Sequence, residues 1–166
     1  MPQPQIMLGG VPIVAHAGAP EQSEEAIGGS TVLRMSDGAA AKMQHWQKTA
    51  GTITGTGLMP PGLDGLDFSQ PLELRSMQVS NIVGPGPTFT LTSTPRPDLA
   101  PWAHAFLGGR WVRTPCVTNE GVVTVTAVAG ATDYQVSWLP VYSVFATKPA
   151  KSQSSAHTWS ITWEET

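Results

Sequence analysis

The sequence predicts an all-β protein, an antiparallel sandwich or barrel of about ten short strands, on three observations. Apolar residues recur with period two in Thr88-Phe89-Thr90-Leu91-Thr92, Tyr134-Gln135-Val136-Ser137-Trp138 and His157-Thr158-Trp159-Ser160-Ile161-Thr162-Trp163. Turn formers punctuate these runs: 17 glycines and 15 prolines among 166 residues, about a fifth of the chain where ~12% is ordinary. Only 13% of residues are Asp, Glu, Lys or Arg, which leaves too few for long solvent-facing helices. The chain is nonetheless 40% hydrophobic with six tryptophans, too apolar to be disordered throughout. It has no run of ~18 apolar residues, so no membrane insertion is expected. The N-terminus has no basic segment and carries Pro12 inside its apolar stretch, so no signal peptide is expected.

Taken in order, residues 1–29 read as an extended N-terminal arm, broken by Pro2, Pro4, Gly9, Gly10, Pro12, Gly18 and Pro20. Within it only Val11-Pro12-Ile13-Val14 has strand chemistry, and Pro12 confines such a strand to an edge. Glu21, Glu24 and Glu25 read as its solvated part. Thr31-Val32-Leu33-Arg34-Met35 is a strand, and Ser36-Asp37-Gly38 is a turn that exploits the positive φ open to glycine. The Ala-rich start of residues 39–48 would suit a helix. The Asp-Gly turn before it and the TITGTG after it favour a hairpin's return strand instead. A strand at 52–57 runs out into a rigid Gly/Pro loop at 58–68, and residues 71–83 resume as one strand. Gly84-Pro85-Gly86-Pro87 is a candidate boundary. Two hairpins follow: 103–107 with 110–113 across Gly108-Gly109, and 121–128 with 134–139. Residues 148–155 read as a polar linker before the closing strand.

Chemistry is sparse. His16, His45, His104 and His157 share no ligand spacing, and the single Cys116 excludes both an intrachain disulfide and a thiolate-rich zinc site. Cys116 reads as a small buried hydrophobe rather than a nucleophile. Asp64 and Asp67 are too few for a calcium loop, and turn chemistry explains Asp64. Neither Gly55-Thr56-Gly57 nor Gly84-Pro85-Gly86 opens a helix, so no phosphate cradle is expected. With no cluster of Lys and Arg, nucleic-acid binding is disfavoured. No catalytic, cofactor or metal residue is nominated. Trp138, Trp159 and Trp163 are expected in the core. Trp102 and Trp111 are the candidates for a ligand surface, where flat rings could stack on sugars. In the 58–68 loop, Met59, Pro60, Leu63, Leu66 and Phe68 would lie wet in a monomer and form a candidate subunit interface.

The segment from Gly28-Gly29-Ser30 through Asp37-Gly38, His45-Trp46 and Thr52-Ile53-Thr54-Gly55 to Pro60-Pro61-Gly62-Leu63-Asp64-Gly65-Leu66-Asp67 resembles small virion proteins of long-tailed bacteriophages. The closing Trp159-Ser160-Ile161-Thr162-Trp163-Glu164-Glu165 resembles the terminal strand of tail-tube-like folds. The resemblance is greatest to distal tail proteins, which form a ring between tail tube and tail tip. It implies a tail-tube-like β core at 30–84 plus 152–166, with residues 85–151 as an inserted β-hairpin lobe that also resembles fibronectin-type modules. It further implies a non-enzymatic virion subunit without cofactors, assembled in the host cytoplasm. Its partners would be copies of itself, a tail tube protein and a tail-tip hub protein. Tail terminator, capsid decoration and a carbohydrate- or receptor-binding sandwich are the alternatives. Low charge suits a surface consumed by neighbours.

Overall fold

Residues 4–166 are described by a computed structural model, in which the regular elements among the described residues are all β-strands apart from a single 3-10 turn at Ala15–Ala17. Two very short strands come first, β1 (Met7–Leu8) and β2 (Val11–Pro12). A long hairpin follows, of β3 (Glu21–Arg34) and β4 (Ala40–Gly57). Next are β5 (Leu72–Arg75), β6 (Ser80–Gly84) and β7 (Thr88–Thr90). The hairpins of β8 (Trp102–Leu107) with β9 (Arg110–Thr114), and of β10 (Cys116–Asn119) with β11 (Val122–Val125), succeed them. The last four strands are β12 (Asp133–Trp138), β13 (Val141–Ala146), β14 (Ala150–Gln153) and β15 (His157–Glu165).

The chain divides into two compact units. One comprises the segment ending at Pro12 with Glu73–Tyr142, the other Ile13–Leu72 with Ser143–Thr166. These divisions differ from those expected at 29, 84 and 151, for identifiable reasons. Gly84-Pro85-Gly86-Pro87 is an internal turn that leads β6 into β7, and 71–83 is two strands rather than one. Residues 150–153 are β14, paired with β15 from Ala150↔Ser160 to Gln153↔His157, so the polar linker is a hairpin strand. The expected N-terminal arm is not one extended piece. Its first three residues, Pro2 among them, lie outside the described residues, while Ile6, Leu8, Ile13 and Ala17 are buried and β3 begins at Glu21. Pro12 does sit in β2, on the outer side of β1.

The first unit is a sandwich. One sheet has the order β6-β12-β8-β9 and the other β10-β11-β7. Alternation builds its core: Tyr134, Val136 and Trp138 of β12, with Ala103 and Ala105 of β8, cluster with Phe89, Val123 and Val125 of the other sheet. The expected hairpin between 121–128 and 134–139 does not form, because its halves lie in opposite sheets. Instead β11 pairs with β10 across Glu120-Gly121, both at positive φ. At the crossing, the Tyr134 hydroxyl accepts from the Val128 amide at 3.1 Å, the tyrosine corner that recurs in immunoglobulin-type sandwiches. A second fastener is Arg96, whose side chain is fully buried. Its Nε and Nη2 donate to the two Asp98 carboxylate oxygens at 2.7 Å each. Nη1 donates to the Ser76 carbonyl at 3.1 Å and Nη2 to that of Gln5 at 2.9 Å. One guanidinium thus holds three segments by the fork geometry that only Arg offers.

In the second unit β15 lies between β4 on one side and β13 and β14 on the other, and β3 pairs with β4. Trp159, Ile161 and Trp163 point to the core, opposite Gly55, Ile53 and Gly51 in register. The indoles need those glycines: a Cβ on Gly55 would come within 2.5 Å of the Trp159 ring, and one on Gly51 within 2.9 Å of Trp163. Each Trp covers bare backbone that no side chain of β4 could cover. The Trp159 indole N–H donates to the Ala17 carbonyl at 2.8 Å, which secures the 3-10 turn.

Two measurements check this packing. Gly55→Val should cost about 1–3 kcal/mol by overpacking, read as a lower denaturant midpoint; an unchanged midpoint would show that Trp159 has room to move. Arg96, by its hydrogen bond, holds the Asp98 carboxyl below its ordinary range although burial opposes the shift. The folded value lies below the unfolded one, so this stabilisation is complete above the ordinary carboxylate range. It is lost as pH falls through that range to the folded value. Asp98→Asn should remove this acid dependence and cost about 2 kcal/mol, less than for a fully buried pair because Asp98 is partly solvated.

Candidate functional site

Where β15 ends, the second unit's sheet narrows to two strands. The last β15–β4 pair is Glu164↔Ala50. Just beyond it the Thr49 amide donates to the Glu165 carboxylate at 2.9 Å, and Lys48 Nζ donates to the Thr166 carbonyl at 2.7 Å. From there β3 and β4 continue alone as a hairpin arm, residues 27–34 against 40–48, about 25 Å long at strand rise. Every residue from 31 to 40 is exposed. The Asp37-Gly38 turn closes it, with Gly38 at φ 84° and the Ala39 amide donating to Asp37 Oδ1 at 3.0 Å.

The pairing shifts between Gly29 and Ser30: Gly29 faces Trp46 and Ser30 faces Gln44, so His45 is the extra, bulged residue. Glycine at 29 lets the Trp46 indole lie over the strand: a Cβ there would come 2.7 Å from the indole nitrogen and displace the ring. Following the register across this bulge gives the arm two unlike faces. One carries Ile27, Thr31, Leu33, Ala41, Met43 and Trp46, with Lys48 at its root; the other carries Ser30, Val32, Arg34, Lys42, Gln44 and Gln47, with Gln44 donating to Gln47 at 2.6 Å. On the apolar face Leu33, Met43 and Trp46 are 48%, 46% and 52% exposed. A two-stranded ribbon is marginal in water without such a face covered.

The arm is not where the sequence places the interface. Of the 58–68 loop, Met59 is exposed, Pro60, Leu66 and Phe68 are half-buried, and Leu63 has no exposure at all. Leu63 is therefore a core residue of its own unit, and its nomination as a subunit contact is corrected. The loop is held down by the Met59 amide donating to the His16 carbonyl at 3.1 Å and by Lys151 Nζ on Asp64 at 2.6 Å. Sequence reasoning found the outer strands and turn of this hairpin but not the start of β3, because Glu21-Gln22-Ser23-Glu24-Glu25 has neither β-propensity nor apolar alternation, and not that the hairpin outruns β15. The readable signal was Gly28-Gly29 facing the lone Trp46.

Trp102 is half-buried and Trp111 exposed. Register places Trp102, His104 and Phe106 of β8 on one sheet face with Trp111 and Arg113 of β9 and Gln135 of β12. The Phe106 and Trp111 ring centroids are 5.0 Å apart. No group of three or more His, Cys, Asp or Glu able to hold a metal occurs among the described residues. Asp67 is a turn residue, its Oδ1 accepting from the Ser69 amide and hydroxyl, and that hydroxyl contact holds its carboxyl below the ordinary range. Lys151 does the same to Asp64. Cys116 is half-buried with its thiol on the Pro101 carbonyl at 3.5 Å; burial pushes its pKa up, the opposite of an activated nucleophile. No helix among the described residues is long and apolar enough to cross a membrane. No protein-family model matches the chain, and a search of curated proteins returns no significant match.

The burial of Leu63 makes a direct prediction. Leu63→Ala should lower unfolding stability by about 2–5 kcal/mol at a protein concentration where only monomer is present. A loss seen only in the assembled form would restore Leu63 to an interface.

Proposed function

We propose that this chain is a non-enzymatic structural subunit of a bacteriophage tail, which assembles with copies of itself into a ring at the distal end of the tail tube. The hairpin arm carries this reading: a sheet extension with one apolar face and no layer of its own unit over it is built to be covered by another chain. Contacts between unlike surfaces that repeat by rotation close into rings. The resemblance of residues 28–67 and 159–165 to phage tail proteins supplies the setting, with a tube protein and a hub protein as the axial neighbours and the virion as the location.

A second reading, carbohydrate or receptor binding, draws on the face of the first unit that groups Trp102, Phe106 and Trp111 with His104, Arg113 and Gln135, since flat rings beside polar donors suit sugar rings. Glycan-array binding abolished by Trp111→Ala would favour it.

Self-assembly is tested by light scattering and negative-stain imaging of the full chain, and of a variant in which residues 31–43 are replaced by Asn-Gly. That turn closes Ser30 onto Gln44 as a two-residue hairpin loop. The full chain should form closed rings and the shortened chain folded monomers. Rings from the shortened chain, or monomers only from the full chain, would refute the reading.

A further inference from the structure

Charge indicates what covers the hairpin arm. From Ile27 to Lys48 the chain carries Arg34, Lys42 and Lys48 against Asp37 alone. The root of the arm has the opposite sign, with Glu21, Glu24 and Glu25 in β3 and Glu164 and Glu165 at the end of β15. Between these acids lies an open groove of ≈ 320 Å³ whose lining includes Glu24, Glu25, Ala50, Gly51 and Glu164. Its floor is low because Ala50 bears only a methyl group there and the next residue, Gly51, is turned to the opposite face under Trp163. Glu25 and Glu164 both stand opposite Ala50, one on each neighbouring strand, so their carboxylates rise from the same sheet face on either side of it. That face is continuous with the arm's apolar face, which carries Ile27, Met43 and Trp46. Both glutamates are exposed, and among the described residues neither takes part in an ion pair.

The arm cannot fill its own groove. β3 and β4 run uninterrupted from the groove into the arm, and folding back would break both strands. We propose that the arm of one copy docks in the glutamate-walled groove of a second copy, its apolar face on the Ala50-Gly51 floor. Arg34 and Lys42 reach past the strand edges on their long stems to meet Glu25 and Glu164. This site rests on the self-assembly reading and specifies it: the contact is heterologous, with a different surface given by each partner, so it repeats around a ring instead of ending at a dimer. Like-charge contact at such an interface is strongly unfavourable.

Paired charge reversals test the site on the full chain. One variant carries Glu25→Lys and Glu164→Lys, the other Arg34→Glu and Lys42→Glu. All four positions are exposed and the one hydrogen bond at stake among the described residues is Arg34 Nη1 on the Gly38 carbonyl, so far-UV circular dichroism should match the parent and melting should match that of the parent diluted to monomer. Each variant alone should associate about 100-fold more weakly and sediment as a monomer. Mixed, they should assemble again as alternating copies, because the intact arm of the first fits the intact groove of the second and the reversed arm of the second brings carboxylates to the lysines of the reversed groove. A groove-reversed variant that assembles like the parent, or a mixture that stays monomeric, would overturn the proposed site while leaving arm-mediated assembly intact. A parent chain that is itself monomeric would overturn both.

Discussion

Strand β4 is longer than its neighbours can accommodate, and the second unit is organised around that mismatch. Along its inner half it is flanked on both sides, by β15 and by β3, and its glycines lie beneath the indoles of Trp159 and Trp163. Past Ala50 the β15 flank is gone, yet the β3 ladder continues to Arg34. Within the unit only the backbone ladder with β3 supports that extension, since no third strand or second layer reaches it, and a ribbon so supported is marginal until its apolar face is covered. The apolar face left on the arm follows directly from this. At the bulge Gly28 leaves no room for a Cβ, which would meet the Trp46 carbonyl, while Gly29 lets the Trp46 indole lie close.

The first unit solves a different problem. Its two sheets are small, and the segment joining β11 to β12 must cross from one to the other. Fixing that crossing takes the Tyr134 hydroxyl on Val128, and fixing the N-terminal segment takes the Arg96 guanidinium on Gln5, Ser76 and Asp98. Buried polar groups of this kind stabilise little beyond their desolvation cost but penalise any arrangement that leaves them unpaired. In a chain with so few charged residues, a fully buried arginine is the more telling for being isolated between Pro95 and Pro97.

Much of the β architecture was legible because alternation and turn chemistry are local. The Phe89, Tyr134–Trp138 and Trp159–Trp163 patterns bury the residues they mark, the turns at Asp37-Gly38 and Gly108-Gly109 put Gly38, Gly108 and Gly109 at positive φ, and the Ala-rich start of β4 is strand as its flanking turn demands. Pairing partners were not legible. The segments 121–128 and 134–139 look like one hairpin, since nothing local says that the buried faces of two strands will meet across a sandwich instead of side by side.

By itself, then, the sequence determined the fold class, the strand content, the position of the tightest turns and which tryptophans go inside, each through interactions spanning a few residues. Tertiary structure alone decided where the units divide, that Leu63 is core, and that the exposed apolar surface lies on 27–48 instead of 58–68. Those outcomes depend on where β15 stops and on which loop is tied down by Lys151 and the His16 carbonyl. Such contacts join residues more than forty positions apart, and no window of sequence contains both ends.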